Sequence, residues 1–495
     1  MGSTQKIVSG VVWSTIVNIV NAVYGFIAVP ILLNHFGKAE YGLIGLAMSV
    51  NVYMNLMDMG FNSTNVRFYS TWLAEKKHDR LKKGFQTSLS FYGIIGLLNA
   101  LIMILIAIYA SNIFNVTEEQ NVVLQHLMCI LAATAFCYWF SSCFDQLVKA
   151  TENIAWLQKI TLATKVLMII VLAATVIFNL SIELYFALTM LSQMAIVPMS
   201  ISKIKKLTPF LSFVPKWDAQ MFKEMLPYCM NIFSFSLFQF SFYNLRPVFL
   251  GMQGTIESVA DYRILNGIIG VVTMLGGAFT GILLPSSSKA AANHNKVAYY
   301  RMAYDGTKYI SILCCFCCFG MMSVGPEVIT MYVGEKYLYL IPWYNLWLIC
   351  TLGTHNQAIS SLILAGTDIR AISYSSIVAS VAGLFVAWFT IPYYNLGGVC
   401  IAFAVYVVIQ LGFYYFYYWP VKMDISSIRI LLRSFLPYVI IGLLCYIFVD
   451  NVIISFHNIF YQFLIRGICF TLLFALLAYL TLTDADKSFI RNIKK

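Results

Sequence analysis

At 495 residues, with 60% hydrophobic and only 11% charged residues, the chain carries far more apolar side chain than soluble cores bury, which excludes a soluble globular protein. The net charge of +11 is accounted for by anionic lipid at the cytoplasmic face of a membrane, so nucleic acid is not an expected partner.

A helix needs roughly 20 apolar residues to cross a hydrocarbon core about 30 Å thick. Fourteen runs meet that need. Spans 1 to 6 lie at 9–33, 42–65, 87–110, 122–144, 159–178 and 183–202, and spans 7 to 14 at 226–251, 261–285, 309–332, 343–365, 372–391, 398–419, 434–450 and 460–482. The divisions near 180 and 395 rest on the short links FNLSIE and PYYNLGG. The first run has no small-residue cleavage site and is long enough to remain as span 1 rather than serve as a signal peptide. Lysine and arginine cluster at Lys76, Lys77, Arg80, Lys82 and Lys83 and at Lys203, Lys205 and Lys206. The positive-inside rule then places both termini in the cytoplasm.

Several chemistries are excluded by what the chain lacks. The segments placed outside are short, leaving no room for the outer loop of a membrane polysaccharide polymerase or ligase. There is no G-x-x-x-x-G-K-[ST] run, no H-E-x-x-H and no pair of carboxylates within one span, so neither an ATP motor nor hydrolase chemistry is expected. The 12 cysteines lie mostly inside spans. The run CCFCC at Cys314, Cys315, Cys317 and Cys318 has no neighbouring His or carboxylate and reads as small apolar helix residues, not metal ligands. No disulfide, metal or cofactor is called for, and transport, not enzymatic catalysis, is the expected role.

A shift of 217 residues lays Pro30, Leu33, Gly37, Glu40, Met57, Gly60, Ser70 and Ala74 on Pro247, Leu250, Gly254, Glu257, Met274, Gly277, Ser287 and Ala291. Both copies read P-x6-G-x2-E where one span ends and the next begins, matching span 1 with 7 and span 2 with 8. The expected architecture is all-α: two pseudo-symmetric six-helix bundles, 1–205 and 206–422, related by an axis along the membrane normal, with two appended spans and a basic tail at 423–495.

HFGKAEYGLIGLAMSVNVYMNLMDMGFNSTNVRF at 35–68 resembles the opening signature of polysaccharide flippases, a G-x-x-E-[YF]-G run followed by a span ending in D-x-G and then an arginine. LGMQGTIESVADYRIL at 250–265, LPSSSK at 284–289 and NLGGVCIAFAVYVV at 395–408 resemble later blocks of that family in the same order. The resemblance implies the multidrug/oligosaccharidyl-lipid/polysaccharide exporter superfamily, with a MATE-like fold. It further implies a flippase of the bacterial inner membrane that moves undecaprenyl-pyrophosphate-linked repeat units for O-antigen, capsule or exopolysaccharide. Its implied partners are that lipid-linked glycan, membrane lipids, and polysaccharide polymerase and chain-length proteins.

The residues suit such a cargo. In span 2, Asn51, Asn55, Asp58, Asn62 and Asn65 recur on one helical stripe, as do Ser14, Asn18, Asn21 and Gly25 in span 1. Hydrocarbon cannot satisfy such groups, so the stripes line a lumen or bind neighbouring helices. Ser236, Gln239, Tyr243 and Arg246 share a face of span 7, and Arg263, Asn266, Gly270, Thr273, Gly277 and Thr280 a face of span 8. Arg246 and Arg263, toward the outer side, are the candidates for holding a pyrophosphate, because a guanidinium fork matches its oxygens; the alternative for Arg246 is snorkelling to the interface. Pro247 should kink span 7 beside it.

Lys165 is a weaker anion candidate, with snorkelling as its alternative. Arg466 reads as an interface anchor and YYFYYW at 414–419 as an interfacial belt, while Tyr24, Tyr53 and Tyr243 stand nearer the polar faces. Asp58, in reach of Arg67, and His355 are candidates for ion coupling; a packed histidine is the alternative for the latter. A cation-coupled drug exporter should carry an acid in span 1, where this chain has Asn18 and Asn21. A lipid II flippase should carry arginines there, and this span has none.

Overall fold

The computed structural model describes residues 3–273, 296–365, 370–452 and 458–483. LPSSSK, the repeat positions Met274, Gly277, Ser287 and Ala291, and Thr280 fall outside them, as does the side chain of Ser236. The described residues are helical at all fourteen expected spans and contain no strand. Among the described residues, ten of those spans are long and apolar enough to cross a membrane.

The four that do not qualify are spans 2, 7, 8 and 10, and most have a visible reason. Span 2 begins as a helix at Lys38–Met54, tightens to a 3₁₀ turn at Asn55–Asp58, and restarts at Phe61–Ala74. Between the two, Met59 (φ 49°) and Gly60 (φ 81°) are left-handed, a conformation no helix interior contains. Span 10 is interrupted in the same way by a 3₁₀ turn at Leu352–Asn356. Span 7 is one 35-residue helix, Ala219–Gln253, diluted by polar residues and carrying Pro227 and Pro247. Span 8 is described only as far as 273. At the short links, Asn179 (φ 50°) and Asn395 (φ 48°) reverse the chain where the sequence divides spans 5 from 6 and 11 from 12.

The chain divides into two compact units, Met1–Arg263 and Ile264–Lys495. In the first, spans 3 and 4 pack along their length, span 1 lies on span 5, and span 7 packs on spans 2 and 3. An aromatic core containing Phe61, Tyr69, Trp72, Phe85, Tyr92, Trp139 and Phe144 fills the centre. The two copies of P-x6-G-x2-E both lie in this unit and end their helices alike. The Gly37 amide donates to the Leu33 carbonyl at 3.0 Å, and the Gly254 amide donates to the matched Leu250 carbonyl at 2.9 Å. Asn115, from the link between spans 3 and 4, secures the second copy by donating its backbone amide to Gly251 and its side-chain amide to Gly254, both at 2.8 Å.

In the second unit, spans 11 and 12 form a close hairpin and span 9 packs on spans 10, 13 and 14. Arg466 is not the interface anchor that its position in span 14 suggests. It is buried, 3.3 Å from the Glu327 carboxylate and 3.6 Å from that of Asp450, and its Nη1 donates to the Ser323 carbonyl. Glu327 is 1% exposed, and a carboxylate so enclosed holds the guanidinium inside the bundle. The run at 414–419 is likewise only partly a belt. It opens a π-helix, Tyr414–Lys422, that turns Tyr414, Tyr418 and Trp419 into a buried cluster with Ile425 and Ile430 and leaves Phe416 and Tyr417 exposed.

Glu327→Ala leaves Arg466 buried without its nearest counter-charge and should destabilise the protein by about 3–5 kcal/mol, whereas Glu327→Leu with Arg466→Met should restore most of that. Unfolding midpoints in detergent measure both; equal midpoints for Glu327→Ala and the parent would show that the pair carries no stability.

Candidate functional site

Where span 2 begins, span 7 ends and span 8 begins, several charged residues of the first unit come together. Lys38 and Asp261 form an ion pair at 2.8 Å, with the carboxylate nearly buried. Two residues on, Arg263 extends its guanidinium over the Tyr41 ring (5.8 Å) and brings Nη1 to 3.5 Å from the Gly45 carbonyl. Glycine is needed here for space: a Cβ at Gly45 would collide with the Arg263 side chain, and one at Gly42 with the Ile256 backbone. The small residues of GLIGLA therefore set how closely span 2 approaches the start of span 8.

Arg246 is 3% exposed. Its guanidinium sits over three rings, 5.3 Å from Phe242, 5.0 Å from Tyr243 and 5.6 Å from Tyr262. Phe242 and Tyr243 lie one turn toward the middle of the membrane, so the side chain curls inward. Snorkelling would carry it the other way. Cation–π contact in so enclosed a place stabilises a guanidinium by about 2 kcal/mol or more. Lys38, Arg246 and Arg263 thus share this end of the unit with Glu40, in the first turn of span 2, and with Glu257 and Asp261, just before Arg263. Lys38, Asp261 and Tyr262 were not singled out in sequence; the signal was there in the D-Y-R triplet and in a lysine directly after the repeat glycine.

The span 2 stripe is divided by the helix break. Asn51 and Asn55 are half-buried before it and Asn62 is exposed after it, so three amides remain accessible. Asn65 is fully buried in a chain of hydrogen bonds that runs in one direction. Ser88 Oγ donates to Asn65 Oδ1 (2.9 Å), Asn65 Nδ2 to Gln146 Oε1 (2.6 Å), Gln146 Nε2 to the Tyr92 hydroxyl oxygen (2.7 Å), and Tyr92 donates to Asp58 Oδ1. The other Asp58 oxygen accepts the Asn62 amide at 3.0 Å. Asp58 is therefore held by Tyr92 and by its own helix break rather than by Arg67, whose guanidinium lies over the Tyr228 ring at 4.2 Å. Tyr92 and Gln146 went unmarked in sequence because nothing in spans 3 and 4 reveals which residues meet Asp58.

The remaining candidates are spread more widely. Asn18, Gln239 and Tyr243 are exposed and Asn21 is half-buried. Lys165 is half-buried, with Nζ 3.6 Å from Met168 Sδ and 5.6 Å from the centre of the Tyr24 ring, and no carboxylate among its contacts in the described residues. Beside it a groove of about 560 Å³ runs between spans 1 and 5, walled by side chains including Val23, Tyr24, Ile27, Leu172 and Val176. His355, in the 3₁₀ break of span 10, is fully buried. Its Nδ1 meets the Leu352 carbonyl at 2.9 Å, its Nε2 the Tyr415 hydroxyl at 2.8 Å, and its ring stacks on Phe435. That geometry is a packed, satisfied histidine. Among the described residues no group of His, Cys, Asp and Glu has the geometry to hold a metal ion.

The sequence profile of a family described as "Polysaccharide biosynthesis protein" matches residues 35–342. Among solved structures, the lipid II flippase MurJ in an inward closed conformation is similar at 13% identity and TM-score 0.73, over 98% of this chain and 100% of that one. A MATE-family multidrug resistance transporter of the MOP superfamily, inward-facing, is similar at 15% identity and TM-score 0.62, over 79% and 92%. The MATE multidrug transporter DinF-BH is similar at 14% identity and TM-score 0.58, over 84% and 96%. No curated protein matches the chain. At these identities the likeness is one of fold, and the fold is the multi-pass helical one of these transporters.

Tyr92→Phe removes the hydroxyl that serves both Gln146 and Asp58, leaving buried polar groups unsatisfied at a cost of about 1–3 kcal/mol. A lowered unfolding midpoint is expected, partly recovered by adding Gln146→Leu; a midpoint unchanged by Tyr92→Phe would show that the chain of hydrogen bonds does not support the fold.

Proposed function

The chain belongs to the polysaccharide biosynthesis protein family, and from that membership we propose that it is a flippase for undecaprenyl-pyrophosphate-linked oligosaccharide. It carries repeat units from the cytoplasmic to the outer leaflet of a bacterial inner membrane for O-antigen, capsule or exopolysaccharide assembly. Both termini lie in the cytoplasm. The observation that carries this reading is the pair of guanidinium groups at the end of span 7 and the start of span 8, Arg246 over three aromatic rings and Arg263 beside Tyr41 and the Gly45 carbonyl. A guanidinium fork matches the oxygens of a pyrophosphate.

In this mechanism the lobes 1–205 and 206–422 rock about the cargo in alternating access. Arg263, with the more accessible guanidinium, receives the pyrophosphate, and Arg246 joins it when its aromatic cage opens. Lys165 meets the anionic group nearer mid-membrane, and the groove beside it suits the hydrocarbon that remains in the bilayer. The glycan takes hydrogen bonds from Asn18, Asn21, Asn51, Asn55, Asn62, Gln239 and Tyr243, all of them at least partly accessible. Asp58, at the break of span 2, is the coupling group. His355, enclosed and satisfied on both nitrogens, is better suited to hold span 10 against the π-helix.

A cation-coupled drug exporter is the competing reading. It is disfavoured because span 1 offers amides and no carboxylate, and because the charged groups within spans 7 and 8 include two guanidiniums, which suit an anion better than a cationic drug.

Purified protein in proteoliposomes is expected to translocate lipid-linked oligosaccharide. Arg263→Gln should slow this about 10- to 100-fold, the equivalent of one charge-assisted hydrogen-bond set of about 1.5–3 kcal/mol, while Arg263→Lys recovers part. Failure to move the lipid-linked cargo, together with proton-driven drug efflux, would overturn the proposal.

A further inference from the structure

The second unit contains a polar cavity that the transport mechanism above does not use. It has a volume of about 630 Å³ and is lined by Tyr300, Arg301, Tyr304, Asp305, Asp424 and Arg429, with Pro420, Ile425 and Ser426. By the distribution of basic residues it opens at the cytoplasmic rim of spans 9, 12 and 13. Its volume lies within the roughly 300–1,000 Å³ of small-molecule sites.

Its walls are built in an unusual way. Two π-helical segments line the cavity, Met302–Gly306 through Tyr304 and Asp305 and Tyr414–Lys422 through Pro420, and a third, Ile430–Phe435, begins directly after Arg429. π-Helix accounts for well under 1% of residues in ordinary proteins, and its single turns concentrate at functional sites. Tyr304 fastens the first segment to the others' flanks: the Ser434 hydroxyl, in the third segment, donates to the Tyr304 carbonyl at 3.0 Å, and the Ser426 amide, between the second and third, donates to the Tyr304 hydroxyl at 2.9 Å. The cavity is thus held in shape before any ligand arrives.

Its chemistry excludes a simple ion. Two guanidinium groups and two carboxylates line it, so their charges sum to zero. Each carboxylate is also already engaged, Asp424 by the Tyr300 hydroxyl at 2.9 Å and Asp305 by Arg301 and Lys308 at 3.9 Å each. The Arg429 guanidinium lies over the Tyr304 ring at 4.5 Å, fixing its plane. What remains is a set of oriented donors and acceptors of no net charge beside tyrosine rings. A neutral polyhydroxylated ring matches that set: carboxylate oxygens retain lone pairs for vicinal hydroxyls, guanidinium N–H groups donate to others, and the C–H face of a sugar packs on an aromatic ring. A zwitterionic phospholipid headgroup is the other occupant the charges could take, and the copurification arm of the test tells the two apart.

We propose that this cavity is a carbohydrate-binding site at the cytoplasmic rim, sized for one or two sugar residues. There it meets the glycan of the cargo before translocation. The pocket is argued from its own chemistry; its part in capturing cargo rests on the flippase reading.

The test is a glycan array probed with the full chain in lipid nanodiscs, empty nanodiscs serving as background. Retention on a subset of glycans is expected, weakened at least tenfold by Asp424→Asn, which removes a carboxylate, and by Arg301→Ala, whose exposed side chain can be lost without harm to the fold. No retention above background overturns the proposal. Retention that both variants leave unchanged overturns it as well, because the sugar then binds elsewhere. So does phosphatidylethanolamine that copurifies with the parent and is lost from both variants, since the cavity is then a lipid site. The flippase reading is separable: translocation of lipid-linked oligosaccharide with a blank array removes the cavity proposal alone, and cavity-dependent sugar binding without translocation removes the flippase reading alone.

Discussion

Hydrocarbon offers no hydrogen bonds, and most of this architecture follows from that. A polar group placed in a span must find a partner within the protein or open onto water. The chain meets the demand in three ways. Asn65, Gln146, Tyr92 and Ser88 satisfy one another in a closed sequence that ends on Asp58. Arg466 and Glu327 satisfy each other by charge. The backbone groups released where spans 2 and 10 break lie in tight 3₁₀ turns instead of facing lipid. The side chains left over from this accounting, Asn18, Asn51, Asn55, Asn62 and Gln239, are the ones with a reason to meet a polar cargo.

The breaks also divide rigidity from freedom. Spans 3 and 4 are continuous helices packed on an aromatic core, suited to transmit motion as solid bodies. Span 2 has left-handed residues midway, and its acid sits beside them. A conformational change can be absorbed there by a few backbone dihedrals. Asp58 touches both the break, through the Asn62 amide, and the rigid pair, through Tyr92, so its charge is linked to the angle between the two halves of the span. At its start, the GLIGLA glycines let span 2 lie directly against the residues that carry Asp261 and Arg263. One span thereby runs from Lys38 and the Arg263 contact to the acid at its break.

Arginines in spans have no single meaning, as the three here illustrate. Arg246 curls inward over aromatic rings, Arg263 reaches across to a carbonyl exposed by a glycine, and Arg466 completes a buried ion pair. Only the first two lie where spans 7 and 8 adjoin the start of span 2. Arg466 anchors the appended spans to span 9, a stabilising task that leaves it unavailable to cargo.

The sequence by itself determined the solvent, the approximate placement of the spans, and the polar stripes, because apolar length and helical period are local properties. It also determined the family resemblance, and the duplicated P-x6-G-x2-E, whose two copies end their helices with the same hydrogen bond. The tertiary structure decided partnerships. Asp58 reads as a mate for Arg67 until the left-handed residues at 59 and 60 turn it toward Tyr92, thirty-four residues away. Arg466 reads as an anchor until Glu327, on another helix, meets it. The aromatic run at 414–419 reads as a belt until the π-helix changes which rings face inward. Which side chain a charge meets depends on backbone turns and on helices distant in sequence, and periodicity carries no record of either.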